Sequence, residues 1–256
     1  MAITVFGGGG GGGSPRIPQG IHSTSSDTLA HYRPTAPNSL LLDSGAGGRD
    51  FALSEGGWWD FGHPDGYLAN IVAGRVGTDG GRIYSQDLAD DDRLQPSWRN
   101  ANTGTGYAIT FAASFCLLDS GADRSKGTCL VNHSVTGGWN QEYRLATNTS
   151  GILWVGRDTA AGWDATGDLG GPINSNEWFH VVYTQNAAGT AGAVWYNGVK
   201  STFTSAVSSV VDGSGRTNIL YEQANKGTGA VFNPIFESGE CSDERAAELY
   251  SDHNIF

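Results

Sequence analysis

The run from residue 176 to residue 200 constrains the fold most, because it combines a strand that is apolar on both sides with a hairpin turn. Alternate residues of a strand point to opposite faces. One predicted face carries Trp178, His180, Val182 and Thr184, and the other carries Phe179, Val181 and Tyr183. Since both faces are largely apolar, β-branched or aromatic, we expect this strand in the middle of a packed sheet.

A hairpin is predicted directly after this strand. A small-residue loop over 186–192 leads to a second strand over 193–196, which ends at Asn197-Gly198. This dipeptide is the strongest short hairpin signal, because a type I′ turn needs positive φ at both central residues. A third strand is predicted over 199–204.

The composition of the 256-residue chain is typical of a turn-rich β protein. Only 16% of the residues are charged and 39 are glycine, yet there are 10 Phe, 8 Trp and 9 Tyr, more aromatic residues than a disordered chain carries. The net charge of −11 argues against a nucleic-acid partner, whose phosphates need a basic surface. No apolar run is long enough to predict membrane insertion.

Alternating patterns predict further strands along the chain. The longest covers 107–118, where Ile109, Phe111 and Phe115 belong to the heavier set, which we expect to face the core. Other strands are predicted from Thr28 and over 67–72, 82–86, 128–133, 142–148, 152–157, 218–221 and 230–236. Near the C-terminus, Ser242 is a predicted N-cap of a helix with an acidic first turn and a stripe of Ala246, Leu249 and Tyr250.

The segments Glu-Trp-Phe-His-Val-Val-Tyr and Val-Trp-Tyr-Asn-Gly-Val resemble the laminin-G-like, concanavalin A-like lectin/glucanase superfamily. The resemblance implies an all-β, two-sheet antiparallel jelly-roll sandwich over residues 27–256, with a short C-terminal helix. The sequence departs from the family at Phe115, where a Trp is usual, and at Phe232-Asn-Pro-Ile-Phe-Glu, which replaces a Gly-x-Ile-Asp element. The second departure puts the calcium or ligand role of that Asp in doubt.

Residues 1–26 differ from the rest and are predicted to form an extended N-terminal arm. A short apolar peptide precedes seven glycines, Gly7–Gly13, which cannot specify one conformation by themselves. One interpretation is a flexible linker. The other is a tethering arm in which Ile3, Val5 and Phe6 bind a partner and the glycines provide reach. The start of the sequence lacks the basic flank of a secretion signal, so we expect folding in a reducing cytoplasm.

The three cysteines, Cys116, Cys129 and Cys241, form no CxxC pair. Thiols in or near the core are the favoured interpretation, and a Cys116–Cys129 disulfide is left open.

Motifs for catalysis are missing from the sequence. It has no E-x-D-x-x-E strand that would set two carboxylates against a glycosidic bond, and no G-x-S-x-G, H-E-x-x-H or P-loop. The single His180 is interpreted as a hydrogen-bonded core histidine. The carboxylates near the terminal helix are interpreted as a solvated helix start: Glu237, Glu240, Asp243, Glu244 and Glu248. No enzymatic activity is therefore predicted.

Two predicted loops combine an aromatic ring with amide or carboxylate groups, the mixture that binds sugars. One contains Trp139 and Asn140, and the other contains Trp163, Asp164 and Asp168. A third candidate is the run 58–60. The alternative, held equally, is that these tryptophans cap the core or contact a neighbouring subunit. The acidic groups at 87–92 and 158–168 leave calcium binding open, although a solvated surface is the favoured interpretation.

Three functions follow from these observations. The first is a non-enzymatic structural and recognition module of a bacteriophage virion, as a capsid decoration, head-fibre or tail-fibre protein. In that hypothesis the arm binds other virion proteins, the chain is oligomeric in the assembly and the sandwich contacts cell-surface glycans. The second is a free carbohydrate-binding lectin. The third, ranked last, is a glycoside hydrolase or lyase with an unfamiliar site.

Overall fold

The fold was taken from a computed structural model of the chain. It describes residues 22–31, 51–54, 57–60, 67–70, 82–85, 108–117, 127–135, 141–159, 162–175, 177–204, 215–219 and 229–253. The predicted sites at Ile3, Val5 and Phe6, at Trp139 and Asn140, and at residues 87–92 lie outside these ranges.

The described strands form two antiparallel sheets, as predicted. The eight-stranded sheet has the order β13-β12-β11-β6-β15-β4-β3, with β1 also paired to β15, and the seven-stranded sheet has the order β10-β9-β8-β7-β14-β5-β2. The strand bounds are β1 Thr28–His31, β2 Phe51–Ser54, β3 Gly57–Asp60, β4 Tyr67–Asn70, β5 Arg82–Ser85, β6 Ile109–Leu117, β7 Thr128–Val135, β8 Gln141–Thr147, β9 Leu153–Thr159, β10 Gly162–Thr166, β11 Trp178–Gln185, β12 Ala191–Tyr196, β13 Val199–Thr204, β14 Gly215–Ile219 and β15 Gly229–Ser238. One helix, α1, covers Asp243–His253.

Strand β11 lies in the middle of the eight-stranded sheet, between β12 and β6, and all of its residues are buried. Its two faces contact different cores. Phe179, Val181 and Tyr183 lie in the main core, while Val182 lies in a second cluster on the other side of the sheet. The prediction of a central, two-sided apolar strand is confirmed.

The main core fills the space between the two sheets. The eight-stranded sheet contributes Phe111 and Phe115 from β6, which are fully buried, and the seven-stranded sheet contributes Tyr143 and Leu145 from β8. The Phe111 ring centroid lies 4.8 Å from that of Phe236 on β15, so the aromatic contacts run across neighbouring strands. Edge-to-face and tilted contacts of this kind add to the stabilisation from area burial alone.

Helix α1 covers the outer face of the eight-stranded sheet. Ala246 and Leu249 pack against sheet residues of β6, β11, β12 and β15, namely Ala112, Val182, Ala193, Trp195 and Ile235. The helix begins as predicted, because the Ser242 Oγ accepts a hydrogen bond of 3.1 Å from the Arg245 backbone N–H. This second layer explains why β6 and β11 are apolar on both sides.

Three short strands were missed by the sequence analysis. Phe51–Ser54 was not predicted, and Gly57–Asp60 and Gly162–Thr166 were interpreted as loops. The two loop predictions are wrong because each run begins with glycine and is too short to show a period of two. Pairing with β4 and β9 makes these runs strands despite their weak local pattern.

The Asn197-Gly198 turn has the predicted backbone, with φ of 47° at Asn197 and 81° at Gly198. Asn197 also contacts β11 one residue past the last β11–β12 pair, Val181 and Tyr196. The Asn197 Oδ1 accepts a hydrogen bond of 2.8 Å from the His180 N–H, and the Asn197 N–H donates to the His180 carbonyl at 2.9 Å.

Replacing Gly198 with alanine is expected to destabilise the fold by about 1–3 kcal/mol. The residue has positive φ, and an added Cβ would lie 2.8 Å from the Tyr250 ring of α1. Urea unfolding of the variant measures the loss. Gly239→Ala is the control for strain without a clash, since its φ is 87° but no atom lies within 4 Å of an added Cβ. Equal losses in both variants would show that the ring contact has no effect.

No disulfide joins Cys116, Cys129 and Cys241. Cys116 lies on β6 and Cys129 on β7, in different sheets. Burial raises the pKa of the Cys116 thiol to about 12, with a smaller contribution from the charge of Glu177. Burial likewise raises the pKa of Cys241 to about 12, and Glu237 adds to the shift.

We therefore expect Cys116 and Cys241 to resist alkylation at pH 8 in the native protein. Thiolate is the reactive form, and a thiol with so high a pKa is ionised only to roughly one part in ten thousand at that pH. Mass spectrometry after maleimide treatment measures the labelling, with the urea-unfolded chain as the positive control. Rapid native labelling of either residue would contradict this prediction.

Candidate functional site

The N-terminal segment, defined as His22–Ser26, lies on the outer face of the eight-stranded sheet beside helix α1. His22 is 2% exposed, although it belongs to the region that the sequence assigned to the arm. Its partners come from β11, β1 and α1. We call this contact region the docking site.

Three buried imidazoles form the inner part of the docking site. The Nε2 atoms of His22 and His180 lie 3.0 Å apart, and their ring centroids are 5.2 Å apart with the rings edge to face. The His31 ring centroid lies 6.4 Å from that of His22. All three residues are at most 2% exposed, so the rings contact one another away from bulk water.

His31 is held by an unusual residue of β15. Its Nε2 lies 2.6 Å from the Oδ1 of Asn233, which is fully buried and has φ of 56°. The strand register shifts between Phe232 and Ile235, so Asn233 belongs to a β-bulge. The bulge occupies the Phe232-Asn-Pro-Ile-Phe-Glu run that departs from the family pattern, and it aims an amide at the histidine cluster.

Ser23 is the polar anchor of the N-terminal segment. Its backbone N–H donates to the Asp252 Oδ2 at 2.8 Å, and its hydroxyl lies 2.8 Å from both the Asp252 Oδ2 and the Glu248 Oε1. Its carbonyl accepts a hydrogen bond of 2.6 Å from the Arg245 guanidinium. One residue of the segment is thus bound through its backbone and its side chain to three residues of α1.

Arg245 connects this anchor to β15. Its guanidinium makes two hydrogen bonds to the Glu237 carboxylate, of 2.5 Å and 3.2 Å, and one of 2.7 Å to Glu248. Burial alone would lower the pKa of Arg245, but the hydrogen bonds to Glu237 and Glu248 outweigh it and raise the pKa. Arg245 thus stays cationic throughout the usual pH range. Hydrogen bonds from Arg245 and Ser23 lower the pKa of the Glu248 carboxyl.

The carboxylates near the helix do not all behave as the sequence predicted. Asp243 and Glu244 are exposed in the first turn, as a solvated helix start requires. Glu237 is 4% exposed and paired with Arg245, so the solvated interpretation is wrong for this residue. The i,i+3 spacing of Arg245 and Glu248 was a signal for part of the network.

The predicted glycan residues that the structure describes lie at the edge of the seven-stranded sheet. Trp163 and Asp164 are positions of β10, paired with Asp158 and Arg157 of β9. Consecutive strand positions alternate between the two faces of a sheet, so these two positions belong to opposite faces. Asp168 is exposed and has φ of 61°.

A second aromatic feature of the same sheet was not predicted. The Arg144 guanidinium of β8 lies 4.6 Å from the centroid of the Trp154 ring of β9. Arg144 is only 5% exposed, which makes this cation–π contact a buried one.

Metal-ligand clusters and membrane-spanning helices were both sought in the described ranges. Within them, no group of three or more histidine, cysteine or acidic residues has the arrangement of a metal site. The same ranges contain no helix long and apolar enough to cross a membrane.

Comparison with solved structures finds receptor-binding domains. The binding domain of botulinum neurotoxin DC in complex with SialylT has a TM-score of 0.63 at 9% identity, over 90% of this chain and 52% of that one. The binding domain of Paraclostridial Mosquitocidal Protein 1 has a TM-score of 0.61 at 10% identity, over 88% of this chain and 52% of that one. The chain shares their β-sandwich fold. It spans about half the length of these binding domains.

The sequence comparisons find no relative. No protein-family model matches the chain, and no curated protein matches it. At a sequence identity of 9–10%, the similarity to these binding domains shows a shared architecture and nothing finer.

Proposed function

We propose that this chain is a non-enzymatic recognition module that is held in a larger assembly by its N-terminal arm. The main support for this proposal is that His22 and Ser23 contact the outer face of the eight-stranded sheet and helix α1. These contacts hold the C-terminal end of the predicted arm against the sandwich. With the arm attached at one place on the outer face, the glycine run gives reach to a partner without fixing the orientation of the sandwich.

The placement of the candidate glycan residues supports the same division of roles. Trp163 and Asp164 lie on β10, the edge strand of the seven-stranded sheet. The N-terminal segment lies on the other sheet, so anchoring and recognition use different sheets of the sandwich. The assembly we favour is a bacteriophage virion, with the chain as a capsid decoration or fibre protein, several copies bound to other virion proteins, and localisation on the particle.

Deleting residues 2–13 tests the anchor. The docking site is intact in this variant, so it should unfold at the same urea concentration as the full chain and yet fail to co-sediment with purified particles. A second variant keeps the seven glycines and replaces Ile3, Val5 and Phe6 with serine. It distinguishes binding by the apolar peptide from the contribution of the length of the glycine run. If both variants co-sediment as the full chain does, the anchor role is refuted.

A second candidate function, a free lectin, is favoured by the shared fold, since one of the similar binding domains was solved in complex with SialylT. We expect a glycan array with the full chain to show binding that Trp163→Ala or Trp139→Ala removes, tested with and without calcium. Arrays without any signal in either condition would eliminate this candidate and leave the anchor untouched. Release of reducing ends from polysaccharides would instead revive a hydrolase.

A further inference from the structure

We propose that the His22–His180 contact makes docking of the N-terminal segment acid-sensitive, so that the segment detaches as the pH falls from about 6.5 to about 5. This inference deepens the proposed function, because it gives the anchor a switch. It rests on geometry: two buried imidazoles whose facing nitrogens lie 3.0 Å apart.

The contact can hold at most one proton between the two facing nitrogens. For a hydrogen bond at this distance one Nε2 must donate and the other must accept, so one of the two must carry no proton there. A pair with zero extra protons or one extra proton satisfies this condition. A doubly protonated pair has two N–H groups pointing at each other and two positive charges in a buried site, so the contact breaks.

The charged groups near the His22–His180 pair determine whether binding of the first or of the second proton breaks the contact. On α1, the Tyr250 ring centroid lies 5.7 Å from that of His180, and Arg245, Glu248 and Asp252 surround Ser23. His31 on β1 lies beside His22 and is hydrogen bonded to Asn233 on β15, and Glu237 on β15 is paired with Arg245. Three carboxylates against one guanidinium favour a first proton on the pair. Binding of a second proton is opposed by the positive charge of the first. His31 is a third imidazole nearby, and its protonation would add more positive charge to the same buried site.

Detachment removes this constraint. An imidazole in water has a pKa near 6.5, so once the segment detaches both rings bind protons freely below that pH. Protons that bind the detached form better than the docked form shift the equilibrium toward detachment. For one such proton the shift reaches tenfold per pH unit. Hydrogen bonds from Arg245 and Ser23 lower the pKa of the Glu248 carboxyl, so this acceptor of Ser23 stays charged between pH 6.5 and pH 5.

Amide hydrogen exchange of the full chain measures the detachment. The Ser23 N–H donates to Asp252 in the docked form, so its protection reports docking. With exchange rates divided by those of the urea-unfolded chain at each pH, we expect Ser23 protection to fall roughly tenfold or more between pH 6.5 and pH 5. Amides of β6 and β11 should keep their protection, which would show that the opening is local.

Two variants separate the imidazoles from the rest of the site. His22→Gln leaves one imidazole in the contact, and its amide oxygen can accept a hydrogen bond from a protonated His180, so its Ser23 protection should fall clearly less than in the native sequence between pH 6.5 and pH 5. Ser23→Ala removes the hydroxyl contacts and keeps the imidazoles, so its protection should be lower at both pH values with the same slope. A flat profile in the native sequence, or an unchanged slope in His22→Gln, overturns the proposal. These results come from the isolated chain and so do not depend on whether the arm anchors it in a particle.

Discussion

Replacing Arg245 with alanine is expected to lower the free energy of unfolding by about 3–5 kcal/mol. The Arg245 side chain is 14% exposed and that of its partner Glu237 is 5% exposed. Removing the guanidinium leaves the Glu237 carboxylate buried without its countercharge, and it also removes the hydrogen bonds to the Ser23 carbonyl and hydroxyl. The loss should therefore exceed that of any exposed ion pair in the described part of the chain.

Urea unfolding followed by tryptophan fluorescence measures this loss. Lys200→Ala is the matched control, because Lys200 donates to Asp243 at 2.6 Å with side chains that are 40% and 66% exposed. Exposed pairs of this kind contribute about 0–1 kcal/mol. Adding Glu237→Gln to Arg245→Ala should recover part of the loss, since the unpaired charge is then gone. Equal losses for Arg245→Ala and Lys200→Ala would show that the Glu237 pair is not buried as described.

Replacing Phe111 with alanine is expected to destabilise the fold by about 3–5 kcal/mol, the loss typical of a large ring removed from a packed core. The Phe111 side chain is fully buried between the sheets. Its ring centroid lies 6.2 Å from that of Phe115 and 4.8 Å from that of Phe236, so the cavity opens where β6 and β15 meet. Differential scanning calorimetry measures the change in transition temperature.

Val199→Ala is the control for this core substitution. Val199 is 69% exposed on β13, so its truncation should change stability by no more than about 0.5 kcal/mol in either direction. A loss of unfolding free energy below about 1 kcal/mol in Phe111→Ala would contradict the burial of Phe111 in the main core.

Most strands of the fold could be predicted from the alternation of apolar residues in the sequence. Alternation predicted both faces of β11 and the core-facing set of β6, because a strand buried on two sides is largely apolar on both faces. The Asn197-Gly198 turn and the Ser242 N-cap were predicted because each depends on one or two adjacent residues. Short strands such as β3 and β10 were not predicted, because their formation depends on pairing with distant segments.

The docking site could not be predicted, because it joins residues that are far apart in the sequence. His22 and His180 are separated by 158 positions, and Arg245 meets Ser23 across 222. The sequence predicted His180 as a buried core histidine, which it is, and assigned His22 and Ser23 to an extended arm without a contact to the sandwich. The i,i+3 pair of Arg245 and Glu248 was the one local signal near this site.

The account depends on the N-terminal segment lying against β11 and α1. Nuclear Overhauser effects between the imidazole protons of His22 and His180 at neutral pH measure this contact most directly. We predict a cross-peak between the two rings, together with one between His180 and the Tyr250 ring. A spectrum that shows the cross-strand contacts of β6 with β11 but none between His22 and His180 would contradict the docking site.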